Sequence, residues 1–302
     1  MRAVVFSRYG DESVLEAVEL PVPVPAAGEV LVRVRAAAVN PVDWKLREGW
    51  VPMDRPFPRG LGFDVAGVVV GSAAPDGPPV GAEVYGMLPL PHGAAYQEYT
   101  AVPAAALAPV PAGLDLEQAA AVPMAALTAW QALDAAGVKG GERVLVQGGA
   151  GGVGHLAVQL AKARGAHVLA TASARNLDFL RELGVDEPLD HGADDLRTLA
   201  PVDVVIDAVG GQVQRDSWAL LRPGGTLITL PEPLDEAHRL PGIDAHRVVV
   251  VPDGPTLTLV GELIAEGRLR IEVQQVLPLD RAAQAHRISA AGRVRGKLVL
   301  SL

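Results

Sequence analysis

No cysteine occurs anywhere in the 302-residue chain. That absence excludes disulfides, thiolate nucleophiles, iron–sulfur clusters and any cysteine-ligated zinc. Positive charge is also scarce, with 26 Lys and Arg against 35 Asp and Glu, a net charge of −9, and no basic run. A nucleic-acid binder is disfavoured, because affinity for phosphate backbones comes from clustered Lys and Arg. Long apolar runs are missing as well: the most apolar stretch, about 119–136, is interrupted by Pro123, Gln131 and Asp134. It falls short of the roughly 20 residues of a membrane span and reads as buried helix. The N-terminus meets Arg2 and Arg8 too early for a signal-peptide core, which makes the cytoplasm the expected location. Lysine is rare too, only Lys45, Lys139, Lys162 and Lys297 among the 26 basic residues. What remains, 49% hydrophobic residues, 20% charged and a mean hydropathy of +0.25, is the composition of a globular chain. Its length suits two domains.

The first 125 or so residues read as short β segments separated by Pro and Gly. Alternation over Val30–Arg35 predicts a half-buried strand, a second lies near Val65–Val70, and prolines such as Pro21, Pro75 and Pro79 mark turns. From about Glu142 the pattern becomes strand, tight turn, helix. Strands are predicted over Arg143–Gln147, His167–Thr171, Val202–Ala208 and Thr226–Leu230, with Arg247–Val251 as an edge strand. Helices should fill Val153–Arg164, Asn176–Leu183, Val213–Leu221 and Thr256–Glu266, with Arg222-Pro223-Gly224-Gly225 stopping the third. Nearly continuous β-branched runs such as Val202–Ile206 suit a parallel sheet covered on both faces. The tail from about Leu269 returns to β character and is expected to rejoin the first domain.

The strand Val144–Gln147 runs into Gly148-Gly149-Ala150-Gly151-Gly152-Val153-Gly154, and an amphipathic helix follows at once. A lone G-x-G-x-x-G is weak; between a strand and a helix, with further strand–helix units behind it, it points to dinucleotide binding. Gly149, Gly151, Gly152, Val153 and Gly154 would offer backbone N–H groups to a pyrophosphate at the helix end. About 20 positions on, an NAD-binding chain would place a carboxylate on the adenosine ribose. Here the loop reads Ser173-Ala174-Arg175-Asn176, a hydroxyl, a guanidinium and an amide. Arg forms charge-assisted hydrogen bonds to a 2′-phosphate, so NADPH is the expected cofactor.

The passages Ala37-Ala38-Val39-Asn40-Pro41-Val42-Asp43-Trp44-Lys45, Gly62-Phe63-Asp64-Val65-Ala66-Gly67, Leu127-Thr128-Ala129-Trp130, Gly148–Gly154 and Arg295-Gly296-Lys297-Leu298-Val299-Leu300 resemble the medium-chain dehydrogenase/reductase superfamily. Within it the chain resembles the zinc-independent quinone oxidoreductase and enone reductase branch. The resemblance spans the whole chain and implies an α/β architecture: a GroES-like, β-rich catalytic domain (1–125, joined by 268–302) and a Rossmann doubly wound parallel sheet (126–267), with a cofactor cleft between them. Zinc-dependent relatives carry Gly-His-Glu where this chain has Gly62-Phe63-Asp64, so no metal site is expected. His92, His155, His167, His191, His238, His246 and His286 show no convincing ligand spacing and read as surface or packing residues.

The resemblance implies a metal-free, NADPH-dependent reduction of a quinone or α,β-unsaturated carbonyl. Asn40 and Lys45 are the catalytic candidates, Asn40 through its amide and Lys45 through an ammonium near the substrate oxygen. Asp43 reads as a loop-holding residue. Trp44, Trp50 and Phe63 are candidates for an apolar substrate wall. Thr128, His191, Val209, Gly210, Leu230 and Lys297 join the cofactor-binding candidates, with His191 standing where many relatives have Tyr. A free-standing enoyl-thioester reductase and a non-catalytic NADPH-binding protein remain alternatives. The apolar run His246–Val251 would be aggregation-prone as a bare edge, which predicts a homodimer.

Overall fold

Residues 1–52 and 54–302 are described by a computed structural model. The chain opens with β1 (Arg2–Phe6) and β2 (Leu15–Glu19), paired antiparallel. β3 (Glu29–Val39) follows, with Val30, Val32 and Val34 buried and Leu31 and Arg33 half-buried, the two-residue period of a strand with one covered face. Pro41 starts α1 (Pro41–Arg47), where its missing N–H costs nothing. β4 (Arg59–Gly60), β5 (Asp64–Ser72), β6 (Glu83–Met87), β7 (Tyr99–Pro103) and β8 (Leu107–Pro109) come next, then α2 (Leu116–Ala120) and α3 (Pro123–Ala135). Among the described residues no helix is long and apolar enough to cross a membrane.

The strand–helix alternation starts at β9 (Arg143–Gln147), followed by α4 (Gly154–Ala163), β10 (His167–Ala172), α5 (Leu177–Glu182) and β11 (Glu187–Asp190). It continues through β12 (Val202–Asp207), α6 (Gln212–Ser217), β13 (Leu221–Thr229) and β14 (Asp244–Arg247). These six strands pair in parallel in the order β11-β10-β9-β12-β13-β14. Strand order reverses between β9 and β12, the switch point at which open α/β sheets bind ligands beyond their carboxyl ends. Val144, Leu145 and Val146 in the central strand are each 0% exposed, as a sheet covered on both faces requires. Trp218 lies in the core beside Leu145, Leu169 and Val205.

The chain closes with α7 (Gly254–Ala265), β15 (Val273–Pro278), α8 (Ala282–Ala290) and β16 (Lys297–Ser301). β15 and β16 extend the first sheet, whose order is β15-β16-β3-β5-β6-β8 with β7 also on β3; β2-β1-β4 forms a small sheet. Two compact units result: residues 1–127, 251–267 and 273–302 in one, and 128–250 with 268–272 in the other.

Three sequence expectations need correction. The helix anticipated over 256–266 with the parallel strands belongs to the first unit: the Tyr85 hydroxyl donates to Leu257 O at 2.6 Å, and a Cβ at Gly254 would lie 2.4 Å from Leu107 O. The stretch Arg222–Gly225 is not a plain helix stop but an irregularity inside β13, whose pairing jumps from Val202↔Leu221 to Val204↔Thr226. The edge strand lies at 244–247 rather than 247–251, because Asp244–Arg247 pairs with Thr226–Thr229 and the valine run follows it.

Candidate functional site

In the second unit the glycine turn joins β9 to α4. Gly148 turns the chain at φ +75°, and its N–H donates to Thr171 Oγ1 at 3.0 Å. Gly149 N–H donates to Thr171 O at 2.8 Å. Side chains are sterically excluded here: a Cβ on Gly154 would sit 2.1 Å from Gly148 O, and one on Gly149 would sit 2.7 Å from Ala170 Cβ. No side chain caps α4 at Val153, and the His155 and Leu156 N–H groups bond Gly151 O and Val153 O, which leaves the Gly152–Gly154 backbone as the place for an anion. A cradle that a Cβ would fill, ahead of an uncapped helix, fits a dinucleotide pyrophosphate. His155, read from sequence as a packing residue, supports this turn. Its Nε2 accepts the Glu272 N–H at 3.3 Å, so its Nδ1–H donates to Gly151 O at 2.9 Å.

Beyond β10, Ser173 Oγ accepts from Asn176 Nδ2 at 3.3 Å, and Arg175 is exposed. The nearest acid along the chain, Asp178, is 93% exposed and paired with Arg181. His191 is exposed, with its N–H on Ala172 O. At the ends of β12 and β13 the decisive residue is one that sequence reasoning missed. Asp207, 0% exposed, accepts from Val209 N and Gly210 N at 2.9 Å each and from Thr229 Oγ1 at 3.1 Å, so it shapes the Val209-Gly210 turn. Burial pushes its carboxyl above the usual carboxylate range. An acid closing the apolar run Val204–Ile206 was the available signal. Leu230 follows β13 and is half-buried; its N–H donates to Asp207 O at 3.0 Å. Thr128 is buried in α3 at 7% exposure.

In the first unit a buried polar cluster surrounds α1. Asp43, 0% exposed, accepts from Asn40 N at 2.7 Å, Gly62 N at 3.0 Å and Tyr96 Oη at 3.0 Å. Burial pushes its carboxyl up to about 7. Asn40 Nδ2 donates to Asp64 Oδ2 at 2.8 Å, while Lys297 Nζ donates to Asn40 Oδ1 and reaches Asp64 Oδ2 at 3.3 Å. Asp64 Oδ1 accepts Met124 N–H at 2.7 Å at the start of α3. Burial pushes the Asp64 carboxyl up, and the Lys297 ammonium opposes that shift. Asn40 and Lys297 were assigned from sequence to substrate and cofactor; the structure engages both ends of the amide, and the ammonium, in one buried ion-pair node.

The apolar candidates divide. Trp44 and Trp50 meet edge to face at 5.3 Å, Trp50 is 65% exposed, and Lys45 Nζ lies 5.7 Å from the Trp44 ring centre. Phe63 does not join them; it is 0% exposed in the interior, where a Cβ on Gly93 would approach its ring to 2.9 Å.

Comparison with known proteins gives a consistent pattern. Residues 26–112 match the alcohol dehydrogenase GroES-like domain and residues 183–300 the zinc-binding dehydrogenase family. The NADPH-dependent alkenal/one oxidoreductase of Arabidopsis thaliana chloroplasts is 37% identical, over 99% of this chain and 79% of its own. The quinone oxidoreductase structure from Coxiella burnetii superposes with a TM-score of 0.93 at 36% identity, covering 100% and 99% of the two chains. A structure described as an NAD-dependent alcohol dehydrogenase superposes with a TM-score of 0.91 at 33% identity, covering 100% of both.

Proposed function

The chain belongs to the quinone oxidoreductase and enone reductase branch of the medium-chain dehydrogenase/reductases, with a GroES-like domain and a Rossmann sheet, and it is an oxidoreductase of that family. We propose that it uses NADPH, without a metal, to reduce a quinone or an α,β-unsaturated carbonyl. The relatives' names carry both NADPH and NAD, so the choice of cofactor rests on this chain's own loop. The observation that carries it is the segment after β10, where Ser173, Arg175 and Asn176 stand and no carboxylate does.

In this reading the N–H groups of Gly152, Val153 and Gly154 hold the pyrophosphate, while Gly149 and Gly151, whose own N–H groups bond Thr171 O and Gly148 O, keep the turn tight enough for it to approach. Ser173, Arg175 and Asn176 take the 2′-phosphate, and His191, Val209, Gly210, Leu230 and Thr128 complete the cofactor contacts. A bound reduced nicotinamide supplies the electron pair for reduction. The chain's part is to orient the substrate and stabilise the charge that appears on its oxygen. Trp44 and Trp50, packed edge to face, supply an apolar wall, and Lys45 supplies the cation. Asn40, bonded at both amide ends, acts by holding the segment that carries them; Lys297 acts through Asn40 and Asp64. Phe63 contributes packing.

The test is NADPH oxidation by chelator-treated protein across quinones, alkenals, cyclic enones and enoyl-CoA. Turnover with a quinone or enone after metal removal supports the reading. Turnover confined to enoyl-CoA, or activity that returns only with zinc, rejects it.

A further inference from the structure

A seven-residue helix gains little from its own hydrogen bonds, so the direction of α1 comes from the groups at its ends. At its start, Asp43 gathers the N–H groups of Asn40 and Gly62. At its end, Arg47 is only 1% exposed. Its Nη2 meets the Glu48 carboxylate, its Nε donates to Gly10 O at 3.1 Å, and its Nη1 lies 3.2 Å from His286 Nδ1 on α8. A guanidinium only donates, so Nδ1 is bare and the ring proton sits on Nε2. Nε2 then faces Tyr96 Oη at 3.4 Å, and the tyrosine donates its own proton to Asp43 Oδ2 at 3.0 Å. Every donor in the series Arg47, His286, Tyr96, Asp43 points the same way, from a buried cation to a buried carboxyl. Bonds aligned head to tail polarise one another.

We propose that His286 is a positioning residue. Fixed as the Nε2–H tautomer, it couples Arg47 to Asp43 through Tyr96 and so orients the segment that carries Trp44 and Lys45. Its effect on turnover rests on the reading of that segment as the substrate side. Burial and the neighbouring guanidinium push the imidazole down to about 3, so the ring stays neutral at working pH. The ring also packs edge to face on Tyr96 at 5.8 Å, which limits its rotation.

Nitrogen-15 correlation of the histidine rings and of the four tryptophan indoles, in the wild type, His286→Phe and His286→Gln, tests this. One histidine, absent from His286→Phe, should show bare Nδ1 and protonated Nε2 without titrating from about pH 5 to 8. In His286→Phe the indoles of Trp44 and Trp50 should shift while those of Trp130 and Trp218, in the other unit, stay in place. His286→Gln, which keeps a donor and an acceptor, should restore most of the shift. With a quinone, kcat of His286→Phe should fall at least about tenfold at unchanged NADPH affinity, since small misplacements cost rate rather than cofactor binding.

An Nδ1–H tautomer, titration near the ordinary value of 6.5, unmoved Trp44 and Trp50 indoles, or wild-type kcat in His286→Phe would each overturn the proposal. If the wild type reduces no quinone or enone, the functional reading fails, and the indole shifts still decide the positioning. If His286→Phe does not fold, the tautomer in the wild type and the kinetics of His286→Gln decide.

Discussion

Lys45 is one of four lysines in a chain that otherwise takes its positive charge from arginine, and it lies half-buried beside the Trp44 ring. A compact ammonium there favours the transition state over the neutral ground state, because negative charge reaches the substrate oxygen only as reduction proceeds. Lys45→Met is expected to lower kcat by ~10²–10³ with NADPH affinity nearly unchanged; wild-type kcat/KM in steady-state kinetics would remove Lys45 from the mechanism. Asp43 makes a second prediction. Its carboxyl is raised from 3.8 to about 7, so the fold binds that proton more tightly than the unfolded chain does. The stability gained from protonation is therefore complete below about pH 4 and lost as pH rises through about 7. Relative to Asp43→Asn, the wild type should lose about 1.6 kcal/mol between pH 5.5 and 7, measured by urea unfolding. A constant difference across that range would place Asp43 at its ordinary value. Activity should run the opposite way, falling below pH 7, since a proton on either oxygen competes with a donor already bound there. At this scale the sequence was least legible. Asn40, Lys45 and Ser173 stand in recognisable segments, but Tyr96 and His286 meet across 190 residues and Arg47 and His286 across 239, and no local pattern marks such pairs.

Elements whose signal is local were readable. The glycine turn forbids side chains by sterics, and the strand before it is a run of buried β-branched and aliphatic residues, so β9 spans Arg143–Gln147 as the sequence predicted. Elements decided by their partners were not. The short β11 contains Pro188, which a central strand does not tolerate; it forms at the sheet edge, paired with β10 alone. β14 is the opposite edge, and its register is set by Thr226–Thr229 rather than by the valines that follow. Those valines remain informative. Val249, 57% exposed, lies just past β14, which pairs with β13 alone among the described residues, an arrangement that favours pairing with a second copy. Light scattering at micromolar concentration should return twice the 31.4 kDa chain mass, and Val249→Lys should move it toward one chain. A wild-type mass of one chain would count against pairing.

For the whole molecule, chain order and unit membership part company at α7, which follows the last Rossmann strand in sequence yet packs in the first unit through Gly254 and Leu257. Composition and strand–helix rhythm suggest two domains and a returning tail; the chain divides into two compact units, with 273–302 in the first. Docking of one helix depends on a close backbone approach that only the folded chain displays. The account as a whole rests on a single chemical claim, that the loop after β10 receives a 2′-phosphate. Isothermal titration of the wild type and of the double variant Ser173→Asp, Arg175→Ala with NADPH and NADH tests it most directly. The account predicts that the wild type binds NADPH at least tenfold tighter, about 1.4 kcal/mol, and that the variant loses NADPH affinity far more than NADH affinity. Equal affinities for the two cofactors in the wild type would contradict it.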